Sequence, residues 1–286
     1  MEEIGKGIYY DNSYSGVTLG AIILPHGTLL VDAPLRPEDN RSWRTALNQK
    51  GASANRLMVN LDAHTDRTLG ARSMESTIIA HFKTAQVFRN RPSIFKGQNV
   101  ESGSEWEAYD DAVGTRWAVP DITFTQNMYI HWGQVVINLE HHPGSAPGAL
   151  WVVIPSEKII FVGDAVLADQ PPFLTAADIP SWLEALDVLA QNYRNYQLVS
   201  GRGGPVGFEI VKIQKKTLKD ILAKITRIAE KNKPVTEVEK LIPTILANYT
   251  FPAHMEELFV QRMRHGLLNY YAQHYQIEEP PSESKE

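Results

Sequence analysis

An apolar strand that runs into alternating polar side chains and a glycine is a place where reacting groups gather. In Val59-Asn60-Leu61-Asp62-Ala63-His64-Thr65-Asp66-Arg67-Thr68-Leu69-Gly70 the strand period of two aims Asp62, His64 and Asp66 toward one space. Two carboxylates and an imidazole suit a metal ion or proton transfer; the plainer alternative is that they keep a strand end hydrogen-bonded. Three more pieces belong with them. Pro143-Gly144-Ser145-Ala146-Pro147-Gly148 precedes a strand, a turn and a second strand that ends in Gly163-Asp164, and Val199-Ser200-Gly201-Arg202-Gly203-Gly204-Pro205 is a glycine-rich loop after a short strand. The chain has no cysteine, which excludes disulfides, thiolate metal sites and cysteine nucleophiles, so any metal must rest on histidine and carboxylate.

The elements that must hold these groups are legible from hydrophobic periodicity. Apolar runs at 17–24, 29–32, 57–61, 77–80, 122–130, 135–139, 150–154 and 159–162 read as strands. Turns at His26-Gly27, Trp132-Gly133 and 155–158 imply antiparallel neighbours. Helices are expected over Pro37–Gln49, which opens on proline and stops before Gly51, and over 180–192, where Trp182, Leu186 and Leu189 share a stripe. The polar stretch 90–120, with Trp106, Tyr109 and Trp117, reads as a long loop or short helical insertion flanking the site. Helices are then expected over a stripe from Leu218 to Ala229, within 235–248 and within 254–275, and 278–286 is too polar to pack. The chain is thus divided into a sandwich domain at 1–210, a packed helical extension at 211–277 and a disordered tail at 278–286.

Composition bounds the function. With 43% hydrophobic and 21% charged residues and a net charge of −5 spread along the chain, an ordinary soluble protein is expected, without a nucleic-acid surface. An acidic start and the lack of any apolar stretch near ~20 residues give no leader or membrane span, so the cytoplasm is the expected compartment. The C-terminal stripe Leu258, Phe259, Met263, Leu267, Leu268 and Tyr271 is a packing face that could also carry a homodimer.

In order and spacing the four pieces resemble the metallo-β-lactamase superfamily, whose pattern is His-x-His-x-Asp-His, a Gly-His-x-Pro-Gly-like turn, Gly-Asp and a last Gly-His-Gly; Asp32 resembles its early strand-end aspartate. The helical C-terminus is similar to that of the quinoprotein relay-system hydrolase branch. The resemblance implies an α/β fold, a four-layer αββα sandwich with a C-terminal helical extension. It also implies a dinuclear zinc site, and residue by residue that site is degenerate. His64, Asp66 and Asp164 match, Asp62 stands for the first histidine, and Arg67, Ser145 and Arg202 stand where histidines are expected. An offset alternative puts His141 or His142 in the turn, at the wrong distance from Asp164.

Charge favours the metal-free form. Asp62, Asp66 and Asp164 against Arg67 and Arg202 leave the emptied site near neutral, whereas two zinc ions would add four positive charges beside guanidiniums that offer no lone pair. Each pair of cations ~4 Å apart costs roughly 4 kcal/mol at an effective dielectric near 20. Arg67 and Arg202 are therefore expected to form internal salt bridges to Asp66 and Asp164. The function implied is a divergent member without cofactor, Arg67, Arg202 and His64 gripping a small anionic molecule. The alternative is a hydrolase of an ester, thioester or lactone using one divalent metal (zinc, manganese or iron) at Asp62, His64 and Asp164. A third arrangement uses Ser145 as nucleophile with His64 and Asp66 as base and orienter.

Overall fold

Strand runs that are apolar on both faces must be covered on both faces. The computed structural model, which describes residues 1–97 and 101–275, meets that demand with two sheets stacked between helices. β1 (Glu2–Gly5), β2 (Ile8–Asp11), β3 (Leu19–Leu24) and β4 (Gly27–Val31) form an antiparallel meander. Helix α1 (Pro37–Gln49) then carries the chain to β5 (Arg56–Val59), parallel to β4. The short α2 (Thr65–Thr68) leads to β6 (Thr77–His81), and α3 (Phe82–Asn90) with a long excursion leads to β7 (Ile122–Phe124), both strands again parallel to their neighbours. β8 (Asn127–Trp132), β9 (Val135–His141), β10 (Leu150–Ile154) and β11 (Ile159–Gly163) are antiparallel. After α4 (Ile179–Asn192) comes β12 (Gln197–Ser200), parallel to β11, and β13 (Gly204–Val206) closes the second sheet. Helices α5 (Phe208–Glu230), α6 (Ile242–Leu246) and α7 (Glu256–Tyr275) complete the described chain.

Alternation along each strand assigns the layers. Leu29 and Val31 of β4 meet Leu150, Val152 and Ile154 of β10 between the sheets, while Leu30 turns outward onto Trp43 and Leu47 of α1. Trp151 and Val153 of β10 point the other way, into a core shared with Trp182 of α4, Leu218 of α5 and Met263 of α7. The architecture is an αββα sandwich with the C-terminal helices laid on its second sheet. The α7 stripe packs inward, with Phe259, Met263, Leu267 and Tyr271 buried, so a dimer would need another face of this helix. Among the described residues no helix is long and apolar enough to cross a membrane.

The run 122–130 is not one strand. It breaks at Thr125-Gln126, where the chain leaves the edge of the first sheet as β7 and enters the edge of the second as β8. Periodicity cannot register such a change of sheet, because both halves alternate alike. The antiparallel turns occur where expected, but β4 to β7 are parallel neighbours linked by crossovers. Strands β1 and β2 and helix α3 escaped the sequence patterning, and the segment 278–286 lies outside the described residues.

Candidate functional site

Four strands deliver the site. Asp32 follows β4, Asp62 lies three residues past β5, Asp164 follows β11 and Arg202 lies two residues past β12, so all four converge at one edge of the sandwich. Asp32 takes the left-handed conformation (φ 61°), which aspartate tolerates better than most residues, and its Oδ1 accepts the Leu61 backbone N–H at 2.9 Å. Asp62 Oδ1 accepts from the His64 N–H at 2.7 Å, and His64 in turn caps α2, its Nδ1 accepting from the Asp66 N–H at 3.3 Å. Asp66 caps the 3-10 turn Glu105–Ala108, accepting from the N–H groups of Trp106 at 3.0 Å and Glu105 at 3.3 Å. Gly201 must be glycine because a Cβ there would stand 2.6 Å from Asp164 Oδ1 and 2.9 Å from Arg67 Nη2.

The two arginines lie where bulk water does not reach. Arg67 is fully buried and touches a different aspartate with each nitrogen: Nη1 reaches Asp32 at 2.9 Å, Nε lies 3.1 Å from Asp62 off the hydrogen-bonding direction, and Nη2 donates to Asp164. Arg202 Nη1 reaches Asp66 at 2.9 Å and Glu105 at 2.6 Å, and its Nε lies 3.4 Å from Asp164. The expected bridges to Asp66 and Asp164 are therefore present, with Asp32, Asp62 and Glu105 as further partners. A third guanidinium, Arg262 of α7, pairs with Glu105 at 3.1 Å and accompanies Arg202 over the Phe173 ring, their centres 3.9 and 4.4 Å from its centroid. Sequence reasoning missed Glu105 and Arg262. Glu105 is one of several acids around Trp106, so nothing local singled it out, whereas Arg262 is a charge set inside an apolar helical stripe.

Three guanidiniums shared among five carboxylates sort those carboxylates by how many cations each touches. Burial pushes Asp32 and Asp66 up to about 7 against the pull of Arg67 and Arg202 respectively, and burial raises Asp62 against Arg67. Burial would also raise Asp164 and Glu105, but each bridges two arginines. Arg202 and Arg67 hold Asp164 well below the usual carboxylate range, and Arg202 with Arg262 draws Glu105 down to about 2. A second guanidinium outweighs burial at Asp164 and Glu105, whereas a single one does not at Asp32, Asp62 and Asp66.

In front of this layer is a cavity of about 220 Å³. Asp62, His64, Asp164 and Ser145 line it together with Arg91 and the apolar faces of Val87, Trp106, Pro147 and Phe173, and His265 reaches it from α7. Arg67 and Arg202 do not line it. They lie behind the aspartates and cannot grip an anion in the cavity, which corrects the expected role; Asp66 is wholly buried behind it as well. Arg91 Nη2 donates to the Ala63 carbonyl at 2.7 Å while its guanidinium lies over Trp117. Among the described residues the buried Ser145 Oγ and Arg91 Nη1 have no hydrogen-bond partner.

His64 is fixed in one tautomer. Arg202 Nη2 sits 3.0 Å from His64 Nδ1, and because a guanidinium only donates, Nδ1 must accept and the proton of the neutral ring must be on Nε2. Burial, then Arg202, lowers its pKa well below the ordinary histidine value, so the ring stays neutral. With its lone pair engaged His64 cannot act as a base for Ser145, and the serine–histidine arrangement loses its central proton acceptor. His141 stacks on His81 with ring centroids 3.7 Å apart, and His142 stacks on Trp151, so neither imidazole of the offset alternative lines the cavity.

A divalent cation does not fit this donor set. Among the described residues no three His, Asp or Glu side chains form a metal-holding group. The Oδ1 atoms of Asp62 and Asp164 face arginine nitrogens, and the His64 lone pair is taken.

Comparison with known proteins bears on the fold. A family model described as the metallo-beta-lactamase superfamily matches residues 64–196. The sec-alkylsulfatase Pisa1 from Pseudomonas sp. superposes with a TM-score of 0.70 at 14% identity, over 95% of this chain and 49% of its own. The chain thus spans about half the length of that alkylsulfatase. The DIM-1 metallo-beta-lactamase gives a TM-score of 0.58 at 18% identity, covering 77% of this chain and 96% of its own. A metallo-beta-lactamase from Pontibacter korlensis gives 0.57 at 17%, covering 76% and 97%. No curated protein sequence matches the chain.

Proposed function

We propose that this chain is a divergent member of the metallo-β-lactamase superfamily in which buried arginines stand in for metal charge and the cavity before them binds a small molecule. The observation that carries this is Arg67, whose three nitrogens face Asp32, Asp62 and Asp164. A guanidinium so placed neutralises the carboxylates that a metal would otherwise hold, and it occupies the Oδ1 atoms of Asp62 and Asp164. The cavity is smaller than the ~300 Å³ at which drug-sized pockets begin, which supports a compact ligand. An anion gripped by Arg67 and Arg202 loses its support, since both face inward. The mononuclear hydrolase reading needs the His64 lone pair that Arg202 engages.

Elemental analysis of protein without a histidine tag, dialysed after incubation with zinc, manganese or iron, tests the proposal. Below about a tenth of an equivalent per chain is expected in every case, and about one equivalent surviving dialysis would favour the hydrolase instead. The double variant Arg67→His with Arg202→His should gain zinc affinity steeply, because it returns two lone pairs and removes two cations.

A further inference from the structure

Beside the donors Arg91 and His64, the cavity wall holds three oxygens without a hydrogen bond among the described residues. Asp62 and Asp164 both line it, and each uses Oδ1 for its inward contacts: Asp62 with the His64 N–H and Arg67, Asp164 with Arg67 and Arg202. Among the described residues neither Oδ2 takes part in a hydrogen bond. Independently of these acids, Ser145 is only 8% exposed, lines the same space and has an unpaired Oγ. A buried hydroxyl without a partner is unfavourable until something supplies one. The remaining wall is largely apolar, with Val87, Trp106, Pro147 and Phe173 around a volume of about 220 Å³.

We propose that the cavity takes a small primary ammonium compound with an apolar or aromatic body, its three N–H groups directed to Asp62 Oδ2, Asp164 Oδ2 and Ser145 Oγ. An ammonium group has three donors and no acceptor, and the site offers it three oxygens. Two carboxylates held close by one guanidinium repel each other, and a cation between their outer oxygens relieves that repulsion while Arg67 and Arg202 stay in place behind. The hydrocarbon body then covers Trp106 and Val87. Arg91, the cation on the cavity wall, has Nη2 on the Ala63 carbonyl and its plane on Trp117, so an acid seated there is the rival. This inference rests on the metal-free binding function proposed above.

The test uses the full chain after its metal content has been measured. Benzylamine and phenethylamine, with benzoate and phenylacetate as matched acids, are titrated at pH 7 by calorimetry and thermal shift. Saturable binding of the amines and none of the acids is expected. Asp62→Asn should weaken amine binding at least about tenfold, and Ser145→Ala several-fold without loss of thermal stability, since it deletes an unpaired buried hydroxyl. Val87→Trp fills the cavity without altering charge and should abolish binding even if Asp62→Asn folds poorly. Saturable binding of the acids, no saturable binding of either amine, or unchanged amine affinity in Val87→Trp would each overturn the ammonium assignment. A stoichiometric metal found beforehand would overturn the metal-free function itself, which keeps the two failures apart.

Discussion

Arg67 and Arg202 stand behind the same cavity, yet they hold different things together. Arg67 is a local clamp whose partners Asp32, Asp62 and Asp164 all follow strands of the two sheets. Arg202 is a long-range clasp. Through Asp66 and Glu105 it fixes the flanking loop, and Glu105 passes the connection to Arg262 on α7, 60 positions further along the chain. The first arginine neutralises a strand-end charge cluster, whereas the second ties the C-terminal helices into the wall of the site.

Substitutions should separate the two roles. Arg67→Met leaves three buried carboxylates with little compensation and is expected to cost about 3–5 kcal/mol in denaturant unfolding, with partial recovery on adding Asp32→Asn. A loss under about 1 kcal/mol would mean that the cluster is neutralised mainly by protons. Arg202→Met should cost less, about 2–3 kcal/mol, because Arg67 still holds Asp164 and Arg262 still holds Glu105. It also frees His64 Nδ1, so the imidazole pKa should rise in NMR titration; an unmoved value would break the tautomer assignment.

Arg262→Met should act mainly through the clasp. It removes the donors to the Gly103 carbonyl at 2.9 Å and to Gln170 at 2.8 Å, and faster hydrogen exchange is expected at 101–112 with the sheets unchanged. Exchange rising evenly across the molecule would show that the clasp is global. The smallest effect is on pH dependence. Asp32 and Asp66, raised to about 7, contribute stability that is fully present below about pH 4 and is lost as pH rises through about 7. Glu105, lowered to about 2, contributes above about pH 4.5 and loses that as pH falls toward 2. The melting temperature should therefore be a few degrees higher at pH 5.5 than at pH 8, and Asp32→Asn should flatten that slope.

Much of this was legible in the sequence for physical reasons. The motif resemblance put Asp62, His64, Asp164 and Arg202 near one another, although β5 ends at Val59 and strand alternation does not reach Asp62 or Asp66, and Pro37–Gln49 read directly as a helix because its start and stop are chemical. Three features were not legible. The break at Thr125-Gln126 does not interrupt the hydrophobic period, and Glu105 and Arg262 join the site through contacts 97 and 157 positions apart, which no local pattern encodes. The orientation of the two arginines was a matter of packing: spacing put them at the site, and only the surrounding carboxylates turned them inward.

The contact between Arg262 and Glu105 also sets an order of events during synthesis. Residues 1–97 can build most of the first sheet as they emerge, but Glu105 meets Arg202 first and its second partner, Arg262, only 157 positions on, and Gly103 waits for the helix that will cover it. A ribosome-bound chain ending before α7 holds an unfinished acidic pocket, and the core that Trp151 and Val153 share with α4 and α5 still lacks Met263. Helix α7 closes both gaps, and a chain stopped before it should be stickier and more sensitive to protease.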